Sequence, residues 1–187
     1  MFIQTEETPN PATLKFIPDG AIVSPNNNLE FKNKEDAVSK SALASELLSV
    51  DGVEAIFLGR DFITITKSKD FEWKMIKTEI MAIIVDFFAA GKEAVFENSK
   101  NHSNVDENDS DIVKQIKELI EIKVRPAVAM DGGDIVFRSF EDGIVYLELK
   151  GSCSGCPSSS ITLKNGIENM FKHYIPEVVG VEQVNDD

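Results

Sequence analysis

Cysteine is nearly absent from this sequence of 187 residues, which contains only Cys153 and Cys156. A secreted scaffold held by disulfides needs more cysteines, spread along the chain, so that class of protein is excluded. Histidine is equally scarce, with His102 and His173 alone. Two neighbouring thiols instead indicate metal binding or redox chemistry in a reducing compartment.

Positive charge is also in short supply. The sequence has 19 Lys and Arg against 32 Asp and Glu, a formal net charge of −13. Because nucleic-acid phosphates and anionic lipids both select basic patches, neither nucleic acid nor a membrane surface is expected as a partner. No run of about 18 apolar residues occurs, so no transmembrane helix is expected. The apolar fraction of 42% is ordinary for a globular protein.

The first residues lack the features of a targeting segment. Residues 1–7 have neither a basic stretch followed by an apolar core nor the Arg-rich, acid-poor composition of a transit peptide. We therefore expect a cytoplasmic, bacterial protein, and a mitochondrial matrix protein is the less favoured alternative.

Residues 97–109 have the composition of a flexible acidic linker. They are polar and charged except for Val105, so burial cannot offset the entropy lost on ordering them. A linker of this length spans about 20 Å on average. It divides the chain into predicted domains at residues 1–96 and 110–187, and a long surface loop within one domain is the alternative. His102 lies in this stretch and is expected to be solvated.

Both predicted domains mix helices with strands, which makes the fold class α+β. In the first domain we predict strands at residues 2–5 and 13–17, a helix at 39–49, a hairpin from 53–58 and 62–66, and a helix from residue 70 to Gly91.

The second domain is predicted to run helix, strand, strand, helix, strand. Its elements are a helix that follows Ser110 and is limited by Pro126, strands at 135–138 and 144–149, a helix from Pro157, and a strand at 178–184.

The Cys-Ser-Gly-Cys motif at residues 153–156 stands between the second strand and the second helix of this domain. Proline is favoured at the first helical position, so Pro157 puts Cys156 near the N-cap. There the helix dipole and unpaired N–H groups stabilise a thiolate, the form that binds metal. The core is expected elsewhere, so changing Cys153 or Cys156 to Ser should abolish metal binding without unfolding the domain.

One chain offers two of the four protein ligands that zinc and iron–sulfur clusters usually take. His102 lies in the predicted linker and His173 near the end of the last helix, so both are poor candidates. A symmetric dimer supplies Cys153 and Cys156 twice, and a cluster on a two-fold axis fits that count. On the residues alone a thioredoxin-like redox pair, a zinc site shared by two chains and two unreactive thiols also remain open.

The sequence Asp131-Gly132-Gly133-Asp134 has two interpretations. Its carboxylates would suit a metal or acid–base role. The favoured interpretation is a tight turn, in which Gly supplies a positive φ and Asp bonds its own backbone, and this turn is expected to pack near the cysteine motif. Arg125 is either a surface charge or the partner of one of these aspartates.

Several stretches resemble one known family. Residues 125–135 (Arg-Pro-Ala-Val-Ala-Met-Asp-Gly-Gly-Asp-Ile) and 151–159 (Gly-Ser-Cys-Ser-Gly-Cys-Pro-Ser-Ser) resemble the C-terminal domain of NifU-like proteins. Residues 1–11 (Met-Phe-Ile-Gln-Thr-Glu-Glu-Thr-Pro-Asn-Pro) with Leu14-Lys15-Phe16 resemble the N-terminal domain of the mitochondrial and alphaproteobacterial branch. The likeness covers nearly the whole chain outside the linker.

The resemblance implies a non-enzymatic iron–sulfur cluster scaffold and carrier. Cys153 and Cys156 would bind a [4Fe–4S] cluster shared between two chains, and the loaded homodimer would transfer it to apo iron–sulfur proteins after receiving it from upstream assembly proteins. The alternative from another class is a thiol–disulfide oxidoreductase that uses the same two cysteines. The N-terminal domain has no cysteine or histidine, and we expect it to recognise other proteins or to modulate dimerisation.

Overall fold

The computed structural model of the chain describes residues 1–96, 109–154 and 157–184, with the backbone alone for residues 157–160. It divides into two compact units, Met1–Asn101 and His102–Asp187. Two domains of mixed helix and strand are the predicted α+β organisation. The predicted linker, residues 97–109, lies outside the described residues except for Asp109. The Asp109 carboxylate is paired with Lys117 Nζ at 2.6 Å.

The N-terminal unit is a five-stranded antiparallel sheet with three helices. In chain order its elements are β1 (Ile3–Glu7), β2 (Thr13–Pro18), β3 (Leu29–Phe31), α1 (Lys34–Lys40), α2 (Ala42–Leu47), β4 (Val53–Leu58), β5 (Ile63–Lys67) and α3 (Trp73–Ala89). The strand order is β1-β2-β5-β4-β3. Four apolar residues of α3 at helical spacing are buried in one core with the inward-facing residues of the strands: Ile76, Ile80, Ile84 and Phe87.

The single helix predicted at residues 39–49 is wrong in one respect, because the chain forms α1 and α2 with a break at Ser41. Ser41 has an extended backbone (φ −152°, ψ 111°), and its Oγ accepts from the Ala44 N–H at 3.0 Å. A serine that caps a new helix therefore interrupts the apolar periodicity. Strand β3 was not predicted either, since three residues are too few for a periodic signal.

The C-terminal unit has the predicted order of helix, strand, strand, helix, strand. Its elements are α4 (Asp111–Leu119), a π-helical turn (Ile120–Val124), α5 (Arg125–Met130), β6 (Gly133–Glu141), β7 (Ile144–Gly151), α6 (Pro157–Tyr174) and β8 (Gly180–Gln183). Strands β6 and β7 pair antiparallel, and β8 adds to β7 in parallel. The core between helices and sheet includes Ile116, Val128, Ile135, Leu147, Ile167 and Phe171.

Pro126 does not limit the first helix of this unit as predicted. Proline lacks an N–H, so the ordinary bond to the carbonyl four residues earlier cannot form. The preceding turn widens to a π-helix instead, in which the Arg125 N–H donates to the Ile120 carbonyl. The helix then continues as α5 and carries Arg125 to the edge of the sheet.

None of the helices in the described part of the chain is both long and apolar enough to cross a membrane.

Candidate metal centre

Cys153 lies in a turn that directly follows β7. Gly151, the last residue of that strand, has a φ of +65°, and its carbonyl accepts from the Ser154 N–H at 3.0 Å. A left-handed φ at this point favours glycine, because a Cβ would strain the backbone. The strand therefore ends in a compact turn that carries Cys153 back toward the sheet.

The Cys153 side chain is buried, with 7% of the residue exposed, and belongs to the hydrophobic core of the C-terminal unit. The expectation that the core lies away from the cysteines is therefore wrong for Cys153. Sequence spacing placed this residue at a strand end, where exposure is common. The turn after Gly151 instead folds the thiol inward.

The predicted turn at residues 131–134 packs against this cysteine. Gly132 has a φ of +82°, and its carbonyl accepts from the Ser152 N–H at 3.2 Å. The Ser152 hydroxyl, which is also buried, donates to the carbonyl of Asp131. A Cβ atom on Gly133 would stand 2.7 Å from the Cys153 Sγ. The turn interpretation is confirmed, and the turn is in contact with the cysteine motif.

The two aspartates of this turn differ in their surroundings. Asp131 is exposed, whereas Asp134 is buried and accepts both from its own neighbour's N–H, that of Ile135 at 2.8 Å, and from Arg125 Nε at 2.9 Å. Arg125 is therefore a partner of Asp134 and not a free surface charge. Its guanidinium also binds the Glu121 carboxylate and the Ile135 carbonyl.

Cys156 lies outside the described residues. Helix α6 begins at Pro157, as predicted, and it continues for 18 residues. Its N-terminus follows the motif without an intervening loop. That end of a helix carries the positive pole of the backbone dipole and several N–H groups without helical acceptors.

His173, the histidine among the described residues, does not join the motif. His173 is exposed near the C-terminal end of α6, with its ring against Tyr174 at 4.9 Å between centroids. With a rise of 1.5 Å per residue, it lies about 24 Å along the helix from Pro157. His102 lies outside the described residues. Within residues 1–96, 109–154 and 157–184, no group of three or more His, Cys, Asp or Glu side chains is arranged to hold a metal ion.

Two contacts of this site were not predicted from the sequence. Ser152 bonds the 131–133 turn through both its N–H and its hydroxyl, and Gly133 provides the space that the Cys153 sulfur occupies. A glycine at the start of a strand often marks a close approach of another chain segment, which was the available signal for Gly133. Ser152 gave no comparable signal.

Comparison with known proteins identifies both domains. Residues 3–91 match the family model described as scaffold protein Nfu/NifU N terminal, and residues 116–182 match the NifU-like domain. The NFU1 iron-sulfur cluster scaffold homolog, mitochondrial, from Homo sapiens is 50% identical over all of this chain and 73% of its own length. The homolog from Drosophila virilis is also 50% identical and is covered over 63% of its length.

Solved structures were also compared. A solution NMR structure of a NifU-like protein from Saccharomyces cerevisiae is 30% identical, covers 52% of this chain and 87% of the yeast chain, and has a TM-score of 0.47.

The predicted cytoplasmic, bacterial location is wrong. The human and fly relatives, which are 50% identical over the whole of this chain, are both named mitochondrial, and this finding contradicts the prediction. The prediction rested on residues 1–7 as a guide to targeting, whereas both relatives are longer than the part that this chain matches. The two family matches and the 50% identity to the human relative over the whole of this chain together determine the family: the chain belongs to the Nfu family of NifU-like scaffold proteins.

Proposed function

We propose that this chain is an iron–sulfur cluster scaffold and carrier. Cys153 and Cys156 bind a [4Fe–4S] cluster between two copies of the chain, and the loaded dimer passes the cluster to apo iron–sulfur proteins. Upstream assembly proteins supply the cluster. The names of the human and fly relatives, which describe iron–sulfur cluster scaffolds, support this proposal.

The observation that carries the proposal is the position of the cysteine motif. The turn with Cys153 follows the end of β7, and the N-terminus of α6 follows Cys156 directly. Thiolates are the ligands that iron–sulfur clusters take, and the positive end of a helix favours them over neutral thiols. The donor set therefore fits the cluster chemically.

The number of ligands makes the second copy part of the site. The sequence has two cysteines, whereas a [4Fe–4S] cluster takes four thiolates. Two copies related by a two-fold axis supply four. A cluster between two chains is held by half-sites that separate when it leaves, which suits a carrier.

Transfer to a recipient is an exchange of ligands without a redox change. Each iron–thiolate bond to Cys153 or Cys156 breaks as a bond to a recipient cysteine forms, and the departing thiolate takes up the proton that the recipient thiol releases. The iron and sulfide of the cluster keep their oxidation states. The chain needs no catalytic group for this exchange, and we propose no enzymatic activity.

Anaerobic reconstitution with iron and sulfide tests the function. We expect about half a [4Fe–4S] cluster per chain, a dimer by sedimentation, and loss of both with Cys153→Ser or Cys156→Ser. The alternative is a thiol–disulfide oxidoreductase with the same cysteines. A monomer that takes up no iron but reduces insulin disulfides would replace the carrier with that alternative.

The N-terminal domain contributes recognition in this proposal, because all the cysteines of the chain lie outside it. Its sheet and helices have a separate hydrophobic core. Deletion of residues 1–96 should leave cluster binding intact and slow delivery to a recipient. If the shortened chain fails to hold a cluster while the full chain holds one, the N-terminal domain is part of the binding site.

A further inference from the structure

Gly133 and Cys153 approach each other more closely than any side chain at position 133 would allow. A Cβ built on Gly133 would lie 2.7 Å from the Cys153 Sγ, 3.3 Å from its Cβ, and 2.7 Å from the carbonyl oxygen of Lys150. Contacts shorter than about 3 Å between such atoms cost repulsion that a packed interior relieves only by moving atoms. The sulfur therefore occupies space that exists because residue 133 is glycine.

We propose that Gly133 is a positioning residue for Cys153. By leaving this space open, it determines how deeply the sulfur sits in the core and the direction from which it approaches a cluster. The inference rests on the proposed function for its meaning, but the placement of the thiol is testable without any cluster.

Because the φ of Gly133 is not in the left-handed region, a substitution at this position acts through steric contact and not through backbone strain. Gly133 is the first residue of β6 and pairs with Gly151, the last residue of β7. The glycines of the C-terminal unit with φ in the left-handed region are Gly132, Gly143 and Gly151 among the described residues. The φ of Gly133 is therefore open to alanine, and what the added methyl group meets is the Cys153 side chain and the Lys150 carbonyl.

The hydrogen bonds of Ser152 hold the backbone before Cys153 in place, so a group added at position 133 displaces mainly the Cys153 side chain. Its N–H donates to the Gly132 carbonyl at 3.2 Å and its hydroxyl to the Asp131 carbonyl. These bonds hold the residue before Cys153 against the residues before Gly133. The Lys150 carbonyl, at 2.7 Å from the same Cβ, belongs to a strand paired in the β6–β7 ladder and must also shift slightly. The Cys153 sulfur can turn about χ1 by leaving its contact with the Ser152 hydroxyl at 3.9 Å, so a methyl group at position 133 displaces the sulfur from its native position.

The first experiment measures the reactivity of Cys153 as the sole thiol, in the full chain with Cys156→Ser. Iodoacetamide should modify it slowly, because it is 7% exposed. Gly133→Ala should raise that rate roughly tenfold, through an outward shift of the sulfur. The matched control is Gly166→Ala in α6, where a Cβ would meet no atom within 4 Å. Equal rates in the two variants would overturn the proposal.

The second experiment measures cluster retention with both cysteines present. After anaerobic reconstitution, Gly133→Ala should lose iron to a chelator roughly tenfold faster than Gly166→Ala, because the ligand no longer approaches from its native position. Equal rates of iron loss would overturn the role in cluster binding. If even the parent chain takes up no iron, the proposed function fails, and the iodoacetamide rates still decide whether Gly133 positions the thiol.

A second variant covers the case in which Gly133→Ala does not fold, as judged by urea unfolding. Ser152→Ala removes the hydroxyl bond to the Asp131 carbonyl and the contact with the Cys153 sulfur, and it adds no atoms. It should raise the iodoacetamide rate of Cys153 several-fold, because the turn then holds the cysteine less firmly. If Cys153 in Ser152→Ala reacts with iodoacetamide at the parent rate, the 131–133 turn does not hold Cys153 in place.

Discussion

The Nε of Arg125 donates to Asp134 Oδ1 at 2.9 Å, and the same guanidinium reaches the carbonyl oxygen of Ile135 at 3.3 Å. The Asp134 side chain is 6% exposed and that of Arg125 is 28% exposed. This pair fastens α5 to the beginning of β6, one residue beyond the glycine that contacts Cys153. The stability of the C-terminal domain and the shape of the cysteine site therefore depend on the same ion pair.

Replacement of Arg125 by Met should destabilise the C-terminal domain by about 2–3 kcal/mol, because it leaves the Asp134 carboxylate buried without its cation. Urea unfolding followed by tyrosine emission measures this domain, since Tyr146 and Tyr174 are the only tyrosines of the chain. Glu121→Gln is the control, because Glu121 is the exposed partner of the same guanidinium. Glu121→Gln should lower the free energy of unfolding by no more than about 0.5 kcal/mol. Equal losses in the two variants would contradict the importance assigned to Asp134.

The local features of the cysteine site could be predicted because they depend on neighbours along the chain. Pro157 begins α6, and Gly132 has the positive φ that the turn requires. Asp134 accepts from the next N–H, as an aspartate in a turn commonly does. Each of these outcomes is decided within a few residues.

The contacts between distant segments could not be predicted in the same way. Three contacts depend on how β6, β7 and α5 pack. They are the burial of Cys153, its approach to Gly133 and the pairing of Arg125 with Asp134. Periodicity identifies the apolar face of an element but not the residue that meets it from another segment. The π-helical turn before Pro126 is a further case, because proline signals a break and the surrounding packing maintains the helix.

Cys153→Ser should destabilise the C-terminal domain as well as remove a proposed ligand. The serine hydroxyl replaces a thiol that belongs to the hydrophobic core, and burial of such a group costs about 1–3 kcal/mol when it lacks a well-placed partner. Cys153→Ala, which removes the ligand without adding a polar atom, should cost less. Tyrosine-detected urea unfolding of the two variants measures the difference. If Ser is as stable as the parent, the position is not an apolar one.

Glu168 should make the C-terminal domain depend on pH in acid solution. Hydrogen bonds from Lys172 and then from the Val181 N–H hold the pKa of this carboxyl below its ordinary value of 4.5. A folded-state pKa below the unfolded one means that the ionised form stabilises the fold above that ordinary value. The stabilisation is lost as the pH falls through the folded-state pKa.

The comparison that isolates this effect is Glu168→Gln against the parent chain. The urea midpoints from tyrosine emission should differ at about pH 7 and converge as the pH falls through the folded-state pKa, below which both side chains are neutral. In a Lys172→Met background the difference at neutral pH should shrink, because the largest cause of the pKa shift is gone. A difference that stays constant across this range would exclude the carboxylate charge as its source.

Gly52 offers a test of whether the two domains unfold separately. Its φ is +90°, and a Cβ there would lie 2.4 Å from Cγ of Phe71, whereas at Gly20, with φ +73°, a Cβ would meet no atom within 4 Å. Gly20→Ala should therefore cost only the left-handed strain, about 1–2 kcal/mol. Gly52→Ala should cost more, about 2–4 kcal/mol, because the Phe71 ring must also move.

Trp73 is the only tryptophan, so its emission follows the N-terminal domain alone. With Gly52→Ala the tryptophan transition should move to lower urea while the tyrosine transition and the uptake of iron stay unchanged. If both transitions move together, the domains stabilise each other, and if iron uptake falls, cluster binding depends on the N-terminal domain.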